Sequence, residues 1–140
     1  MNSHFQYILN SEGHYYTPAR QLIFDIIDGY PAITMKELRE RVHGRIPDSS
    51  VYRALQVFRE LEIIRDVVIG GVRMIELSGE FREHHHHVSC KKCGTSIDID
   101  DDNLEKYLVQ LAKKNGYTHL SHSFEVTGLC PKCQTFPLAK

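Results

Sequence analysis

Two pairs of cysteines give this chain its clearest chemical pattern. They form Cys-x-x-Cys turns at 90–93 and 130–133, separated by 36 residues (94–129), and the chain has no other cysteine. Each turn can present two thiolates to one metal ion, and two turns complete a tetrahedral all-thiolate set. The spacing therefore predicts a closed structural zinc site, with the ligands Cys90, Cys93, Cys130 and Cys133.

Two other uses of these cysteines remain open. A thioredoxin-like redox motif needs only one Cys-x-x-Cys pair, and cysteine sets also hold iron–sulfur clusters. The first six residues lack the basic start and apolar stretch of a signal peptide, so we expect a cytoplasmic protein. In that reducing compartment such pairs are more often metal ligands than disulfides, which favours zinc.

Four consecutive histidines, residues 84–87, precede the first cysteine pair. The run is internal and short, which argues against an expression tag. If the segment is extended, successive side chains alternate, so His85 and His87 face one way and His84 and His86 the other. Two different metal sites are then possible. Imidazole with carboxylate suits zinc, iron and manganese, and only the neutral ring binds, so affinity should fall as the pH drops toward about 6.

Four residues elsewhere are candidates to complete these sites: Glu76, Asp98, Glu105 and His122. Sequence spacing alone leaves open whether each of them is a ligand or a solvated surface group. One permanent zinc beside an exchangeable metal indicates a sensor rather than a catalyst.

Three short helices and a β-hairpin are predicted for the first half. Suitable first residues are Thr17-Pro18 for the first helix, a Thr34–Glu37 capping box for the second, and Asp48 or Ser49 for the third. Strand-like runs at 66–69 and 72–77 flank Gly70-Gly71, a signal for a two-residue hairpin turn. This is the order of a winged helix, whose third helix enters the major groove.

Charge along the chain gives a weaker indication of DNA binding. The net charge is −1, yet six basic residues stand against three acidic ones between positions 36 and 59. These residues suit either a local basic face or an ordinary solvated helix surface. The chain has no apolar run of about 18 residues, so we expect no membrane span.

The second half predicts a β-α-β unit framed by the two cysteine turns. Residues 78–83 are polar and read as a linker, and residues 96–99 alternate like a strand. Acidic residues at 100–102 precede a helix that stops at Gly116, and an alternating run at 119–127 predicts the last strand. The predicted fold class is therefore α+β.

Several motifs make the chain resemble the ferric uptake regulator family of bacterial metal-responsive repressors. They are Thr17-Pro18-x-Arg20, the run Ser50-Val51-Tyr52-Arg53-Ala54-Leu55, the stretch from Glu83 to Gly94, and Cys130-x-x-Cys133. Together they cover nearly the whole chain. The resemblance implies a homodimer in which a winged helix (1–77) reads double-stranded operator DNA. A hinge (78–83) would connect it to a C-terminal α/β domain (84–140) that dimerises and binds metal.

The resemblance also implies roles for individual residues. The four cysteines would hold structural Zn²⁺; Glu76, His85, His87 and Asp98 would form the regulatory site; and His84, His86, Glu105 and His122 would form an additional site. On the third helix, Tyr52 and Arg53 fall where the family has a tyrosine and a residue that contacts bases or phosphates. We expect Arg53 and neighbouring helix residues, among them Ser50 and Gln56, to meet the bases, and Lys36, Arg39 and the wing to meet phosphates.

Some positions depart from the family pattern. A regulatory histidine that many members carry after the first long helix is missing near Ala32, and Asp66 is a candidate replacement. No spare cysteine exists for the hinge site of the zinc sensors, and Glu76 aligns only with a two-residue insertion. The regulatory metal, Fe²⁺, Zn²⁺ or Mn²⁺, is therefore left open.

These observations predict a metal-dependent repressor of metal-homeostasis genes and no enzyme. A metal hydrolase with Glu105 as general base is the catalytic alternative, but the chain has no HExxH motif. A metal-buffering or metal-delivery protein is the other alternative, and it would have no use for the three helices of the first half.

Overall fold

The computed structural model describes residues 2–83, 85–120, 122 and 124–135. Their contacts divide the chain into two units. The first unit contains the described residues up to Val68 together with Val72–Glu83. The second contains Ile69–Gly71 and the described residues beyond Glu83.

Four helices and a two-stranded sheet, apart from the hairpin tip Ile69–Gly71, form the first unit. They are α1 (Ser3–Ser11), α2 (Pro18–Asp28), α3 (Met35–Val42), α4 (Asp48–Glu60), β1 (Ile64–Ile69) and β2 (Val72–Leu77). The order from α2 to the hairpin is that of a winged helix, as predicted. Gly70 and Gly71 form the hairpin turn with φ of +59° and +81°, which a two-residue turn requires and glycine allows. Strand β1 begins two residues earlier than the predicted run at 66–69.

The predicted starts of α2 and α3 are confirmed, and that of α4 is not. The Thr17 hydroxyl accepts a hydrogen bond from the Arg20 N–H at the start of α2, and the capping box of α3 is complete. The prediction that Asp48 or Ser49 caps α4 is wrong. Pro47 is the N-cap in extended conformation and makes no side-chain hydrogen bond, while Asp48 is the first helical residue.

Helix α1 was missed by the sequence analysis, which predicted three helices before the hairpin. The Asn2 side chain accepts hydrogen bonds from the N–H groups of His4 and Phe5. The Phe5 ring is fully buried, with its centroid 4.3 Å from that of Phe24 and 5.3 Å from that of Phe58. Helix α1 is therefore part of the core of the first unit.

The segment predicted as a linker, 78–83, makes several contacts with the first unit. Ser78 Oγ donates to the Glu62 carbonyl at 2.8 Å, and an Arg82 guanidinium N–H donates to the Pro31 carbonyl. Phe81, in the 3₁₀ turn Gly79–Phe81, packs against the core with its ring centroid 5.0 Å from that of Phe24. Most of the segment is thus held by contacts rather than extended.

A three-stranded sheet and one helix form the second unit. The elements are β3 (His86–Cys90), β4 (Ser96–Ile99), α5 (Asp102–Lys114) and β5 (Glu125–Gly128), followed by a 3₁₀ turn at Cys133–Thr135. The strand order is β4-β3-β5, with β3 antiparallel to β4 and parallel to β5. The predicted strand 119–127 is wrong in its first part, because His119 has a left-handed φ of 55° and the strand begins at Glu125.

The second unit buries little apolar surface. Among the described residues, α5 has no buried member, and Cys90 is the one buried apolar residue of this unit. Ile97 and Val126, which lie in register with Val88 on either side of β3, are 60% and 45% exposed. A unit of this size with so small a core needs further stabilisation. No helix in the described part of the chain is long and apolar enough to cross a membrane.

Candidate metal centres and DNA-binding surface

The four cysteines converge on one point. Their Sγ atoms all lie within 4.8 Å of one another, and those of Cys93 and Cys130 are 3.7 Å apart. A disulfide would place two sulfurs about 2.05 Å apart, whereas zinc bonds of about 2.3 Å in a tetrahedron separate them by about 3.8 Å. The separation therefore fits a zinc tetrathiolate and excludes a disulfide between these two cysteines.

The sheet explains why the two cysteine turns meet. Strands β3 and β5 run parallel, with Cys90 in register with Gly128, so both strands end at the same edge of the sheet. Each strand is followed by a Cys-x-x-Cys turn, and the Lys91 N–H donates to the Gly128 carbonyl at 2.9 Å. The N–H groups of Lys92 and Cys93 also donate to Cys90 Sγ, at 3.4 and 3.5 Å.

These contacts perturb the acidity of the thiols unequally. Backbone hydrogen bonds from Cys130 and Cys93 lower the pKa of Cys90 to about 5, and hydrogen bonds with Thr95 lower the pKa of Cys93. The neighbouring thiol of Cys130, followed by burial, raises the pKa of Cys133 to about 12. Backbone hydrogen bonds thus favour the thiolate of Cys90, whereas the neighbouring sulfurs oppose ionisation of Cys133. A divalent cation offsets that opposition, so the donor set fits zinc.

A second cluster contains His86, Glu105 and His122. The Glu105 carboxylate bridges the two rings, with Oε1 2.6 Å from His86 Nε2 and Oε2 2.7 Å from His122 Nε2. The two Nε2 atoms are 3.2 Å apart, close to the separation of about 3.3 Å between two nitrogens on a tetrahedral zinc. The His86 ring also stacks on Phe124 at a centroid distance of 3.9 Å. The fourth residue predicted for this site, His84, lies outside the described residues.

His87 faces a different set of donors. Its Nδ1 lies 2.9 Å from Asp98 Oδ1, because the two residues are in register across β3 and β4. Its ring contacts that of His85 edge-on, with centroids 4.9 Å apart. At this separation the imidazole and the carboxylate are close enough to bind one metal ion together. Three of the four residues predicted for the regulatory site therefore lie together in the second unit.

Glu76 and Asp66 belong to the first unit. Glu76 is completely buried, and its Oε1 lies 2.6 Å from the Arg65 guanidinium. Asp66, the candidate replacement for the missing histidine, accepts two hydrogen bonds from Arg59, at 2.8 and 3.0 Å. The structure thus pairs both carboxylates with arginines of the same unit.

Helix α4 presents a polar face opposite its buried stripe. Tyr52, Arg53 and Gln56 are exposed, as predicted, and Ser50 is half-buried. The buried side chains of α4 are Val51, Ala54, Leu55 and Phe58. Tyr52 remains 51% exposed although it is a large aromatic residue, which makes this face suitable for contact with another molecule.

The predicted phosphate-contacting residues lie on α3. Lys36 and Arg39 are exposed and line an open cavity of about 470 Å³ together with Glu40, His43 and Asp48. Arg39 donates to Asp48 Oδ2 at 2.8 Å, an ion pair that was not predicted from the sequence. No sequence signal pointed to that pair, because α3 and α4 are joined by a turn whose geometry the residues do not specify.

A winged helix with an exposed polar face on α4, joined to a sheet that carries metal donors, is the architecture of a metal-dependent transcriptional regulator. The sequence model of the ferric uptake regulator family matches residues 11–127, and the chain belongs to this family. Members of this family are transcriptional regulators rather than enzymes.

Individual relatives match over most of their length. The ferric uptake regulation protein of Synechococcus elongatus is 26% identical over 132 residues, which cover 90% of each chain. The peroxide operon regulator of Bacillus subtilis is 26% identical over 132 residues, covering 89% of this chain and 88% of that one. The solved structure of the Vibrio cholerae ferric uptake regulator is 28% identical, with a TM-score of 0.65, and covers 90% of this chain and 99% of that chain. These similarities confirm the predicted α+β winged-helix fold.

Proposed function

We propose that this protein is a homodimeric, metal-dependent repressor of metal-homeostasis genes. One observation carries the proposal: His86 and His87, adjacent in β3, lie beside different donor sets, Glu105 with His122 on one side and Asp98 on the other. A single strand can therefore serve two exchangeable metal positions next to the four-cysteine zinc site. This is the arrangement of a sensor.

The regulatory site in this proposal takes one ligand from the first unit and the rest from the second. Glu76 of β2 would act with His85, His87 and Asp98, and the metal would supply the positive charge that links these donors. Linking them fixes the winged helix relative to the dimerising unit. In a dimer, that sets the spacing of the two α4 helices to match two half-sites on DNA.

The switch obeys thermodynamic linkage. The metal can favour the closed arrangement only through its higher affinity for that arrangement, and operator DNA must then tighten metal binding by the same factor. The hinge would lie at the end of the segment 78–83, beyond the contacts of Phe81 and Arg82 with the first unit. Fe²⁺, Zn²⁺ and Mn²⁺ are all compatible with the donors.

On the DNA side, we assign base contacts to the exposed face of α4 and phosphate contacts to α3. Tyr52, Arg53, Ser50 and Gln56 would meet the bases, and Lys36 and Arg39 the phosphates. Dimerisation through the second unit is supported by its exposed apolar residues. They include Ile97, Tyr107, Leu111 and Val126.

A metal-buffering or metal-delivery protein is the alternative. Its support is that two of the donor clusters lie wholly within the second unit. It would leave the exposed face of α4 without a role.

The test is to remove exchangeable metal from the purified protein and measure binding to its own upstream DNA as zinc, ferrous iron or manganese is added back. We expect one metal to restore binding selectively, and the Arg53→Ala variant to bind that metal but not the DNA. Lys106→Ala, which removes a positive charge from α5, is the matched control. Metal binding without DNA binding under any of these conditions would favour the buffering role.

A further inference from the structure

The cavity between α3 and the start of α4 is balanced in charge. Lys36 and Arg39 bring two positive charges to it, and Glu40 and Asp48 bring two negative charges. The charge balance affects DNA binding, because non-specific affinity for DNA comes from cations that contact phosphates. A surface that meets DNA in this region would offer less positive charge than its basic residues indicate.

The Asp48 carboxylate offsets two sources of positive charge, the Arg39 guanidinium and the N-terminal end of α4. Its Oδ2 accepts a charge-assisted hydrogen bond from Arg39 at 2.8 Å, the geometry that a phosphate oxygen would otherwise adopt. It is also the first residue of α4, whose N-cap Pro47 makes no side-chain hydrogen bond. The N–H groups and dipole at this helix end attract anions, and the Asp48 carboxylate lies in the same first turn.

Lys36 and Arg53, which are also assigned to DNA contacts, differ from Arg39 in their ion pairing. Among the described residues, neither Lys36 nor Arg53 forms an ion pair. In the Arg39–Asp48 pair the side chains are 47% and 57% exposed, so water and an incoming phosphate can reach both. An exposed pair of this kind contributes little to folding, so its effect on binding can be measured separately.

We infer that Asp48 attenuates DNA binding: its carboxylate competes with DNA phosphate for Arg39 and lowers the affinity of each winged helix for duplexes of any sequence. This inference rests on the proposed DNA-binding function. Weak binding by each winged helix is what a metal switch requires, because two strongly binding copies would hold DNA without the metal fixing their spacing. Asp48 thereby helps to make DNA binding conditional on metal.

The test compares Asp48→Asn with the unaltered protein on a random-sequence 30-base-pair duplex and on the upstream DNA, over a range of salt concentrations. We expect both duplexes to bind more tightly by the same factor, about threefold per winged helix and about tenfold for a dimer. We also expect a salt dependence steeper by about one counterion per winged helix, since Arg39 becomes available to phosphate. Metal-stripped Asp48→Asn protein should retain part of this binding.

Three further variants identify the cause. Asp102→Asn changes the corresponding first residue of the 13-residue helix α5, so it is a matched control and should bind DNA like the unaltered protein. In an Arg39→Gln background, Asp48→Asn should lose most of its effect. An equal gain in that background would overturn the inference, because Asp48 would then act without Arg39. Asp48→Ser keeps a residue suited to a helix start and should reproduce the gain if Asn disturbs folding.

The outcomes separate the inference from the proposed function. If Arg53→Ala abolishes DNA binding while Asp48→Asn binds like the unaltered protein with an unchanged salt slope, the attenuation inference alone is wrong. If the unaltered protein binds neither duplex with any metal, both the function and the inference are wrong.

Discussion

The Sγ atoms of Cys93 and Cys130 lie 3.7 Å apart although 36 residues separate these cysteines in the sequence. The parallel pairing of β3 with β5 brings them together, and the second unit has few other means of holding that edge of its sheet. Its described residues include one buried apolar residue, Cys90, which is itself a member of the cluster. Zinc bound by the four cysteines would therefore be the main element that stabilises the second unit.

Replacing Cys93 with Ser should remove zinc and unfold the second unit while the first unit remains folded. Zinc binding in small zinc modules is worth about 10–16 kcal/mol, and loss of one thiolate ligand forfeits much of it. Zinc content by mass spectrometry, together with hydrogen exchange resolved by residue, measures both effects. Ser96→Ala, beside the same turn, is the control and should retain zinc. A zinc-free Cys93→Ser protein with a protected β3 would contradict this account.

Acidification should release metal from the histidine clusters before it releases zinc from the cysteines. An imidazole binds metal only when neutral, so below its ordinary pKa of about 6.5 each ligating ring costs about tenfold in affinity per pH unit. The pKa of Cys90 is lowered to about 5 but that of Cys133 is raised to about 12, so thiol acidity does not decide the order; zinc should be retained longer because binding by four thiolates in small zinc modules is worth about 10–16 kcal/mol. Metal retained after dialysis between pH 7.5 and 5 tests the order. Simultaneous release of both metals would contradict it.

The parts of the molecule predicted correctly were those in which local chemistry fixes the geometry. A strand alternates its side chains by necessity, so the different environments of His86 and His87 followed from their adjacency. Gly70 and Gly71 admit the positive φ of a two-residue turn, and the Thr34–Glu37 pair satisfies the first N–H groups of α3. In each case the residues themselves specify the local conformation.

The errors occurred where distant contacts or backbone freedom decide the outcome. Aspartate is a common helix N-cap, but the Asp48 carboxylate pairs with Arg39, and Pro47 occupies the N-cap position of α4. The alternation at 119–127 predicted a strand, yet the left-handed His119 cannot continue one. Glu76 is a different case: its role as a metal ligand was assigned from the resemblance and stays a prediction, and only its hydrogen bond with Arg65, which depends on the pairing of two strands, was not predicted.

Helix α1, which the sequence analysis missed, should be essential to the first unit. Phe5 is fully buried between Phe24 and Phe58, so Phe5→Ala should lower the free energy of unfolding by about 3–5 kcal/mol. Tyr7, two residues along the same helix and 68% exposed, is the control, and Tyr7→Ala should change stability by about 0.5 kcal/mol or less. Urea denaturation of both variants measures the difference. Equal effects would show that α1 does not pack as described.

The two histidine clusters should have separable roles. His87→Ala removes a ring beside Asp98, and it should abolish the response of DNA binding to metal while zinc at the cysteines is retained. Glu105→Gln neutralises the carboxylate that bridges His86 and His122 but preserves its shape, and it should lower the amount of exchangeable metal bound while DNA binding still responds. Metal equivalents and DNA-binding titrations on the same preparations distinguish the two sites.

The reverse result would be equally informative, because it would exchange the assignments. If Glu105→Gln abolishes the response and His87→Ala preserves it, the cluster of His86, Glu105 and His122 is the regulatory site. The switch would then operate wholly within the second unit, since these three residues all belong to it. Glu76 would have no part in metal binding, and Glu76→Gln should then leave the metal response unchanged.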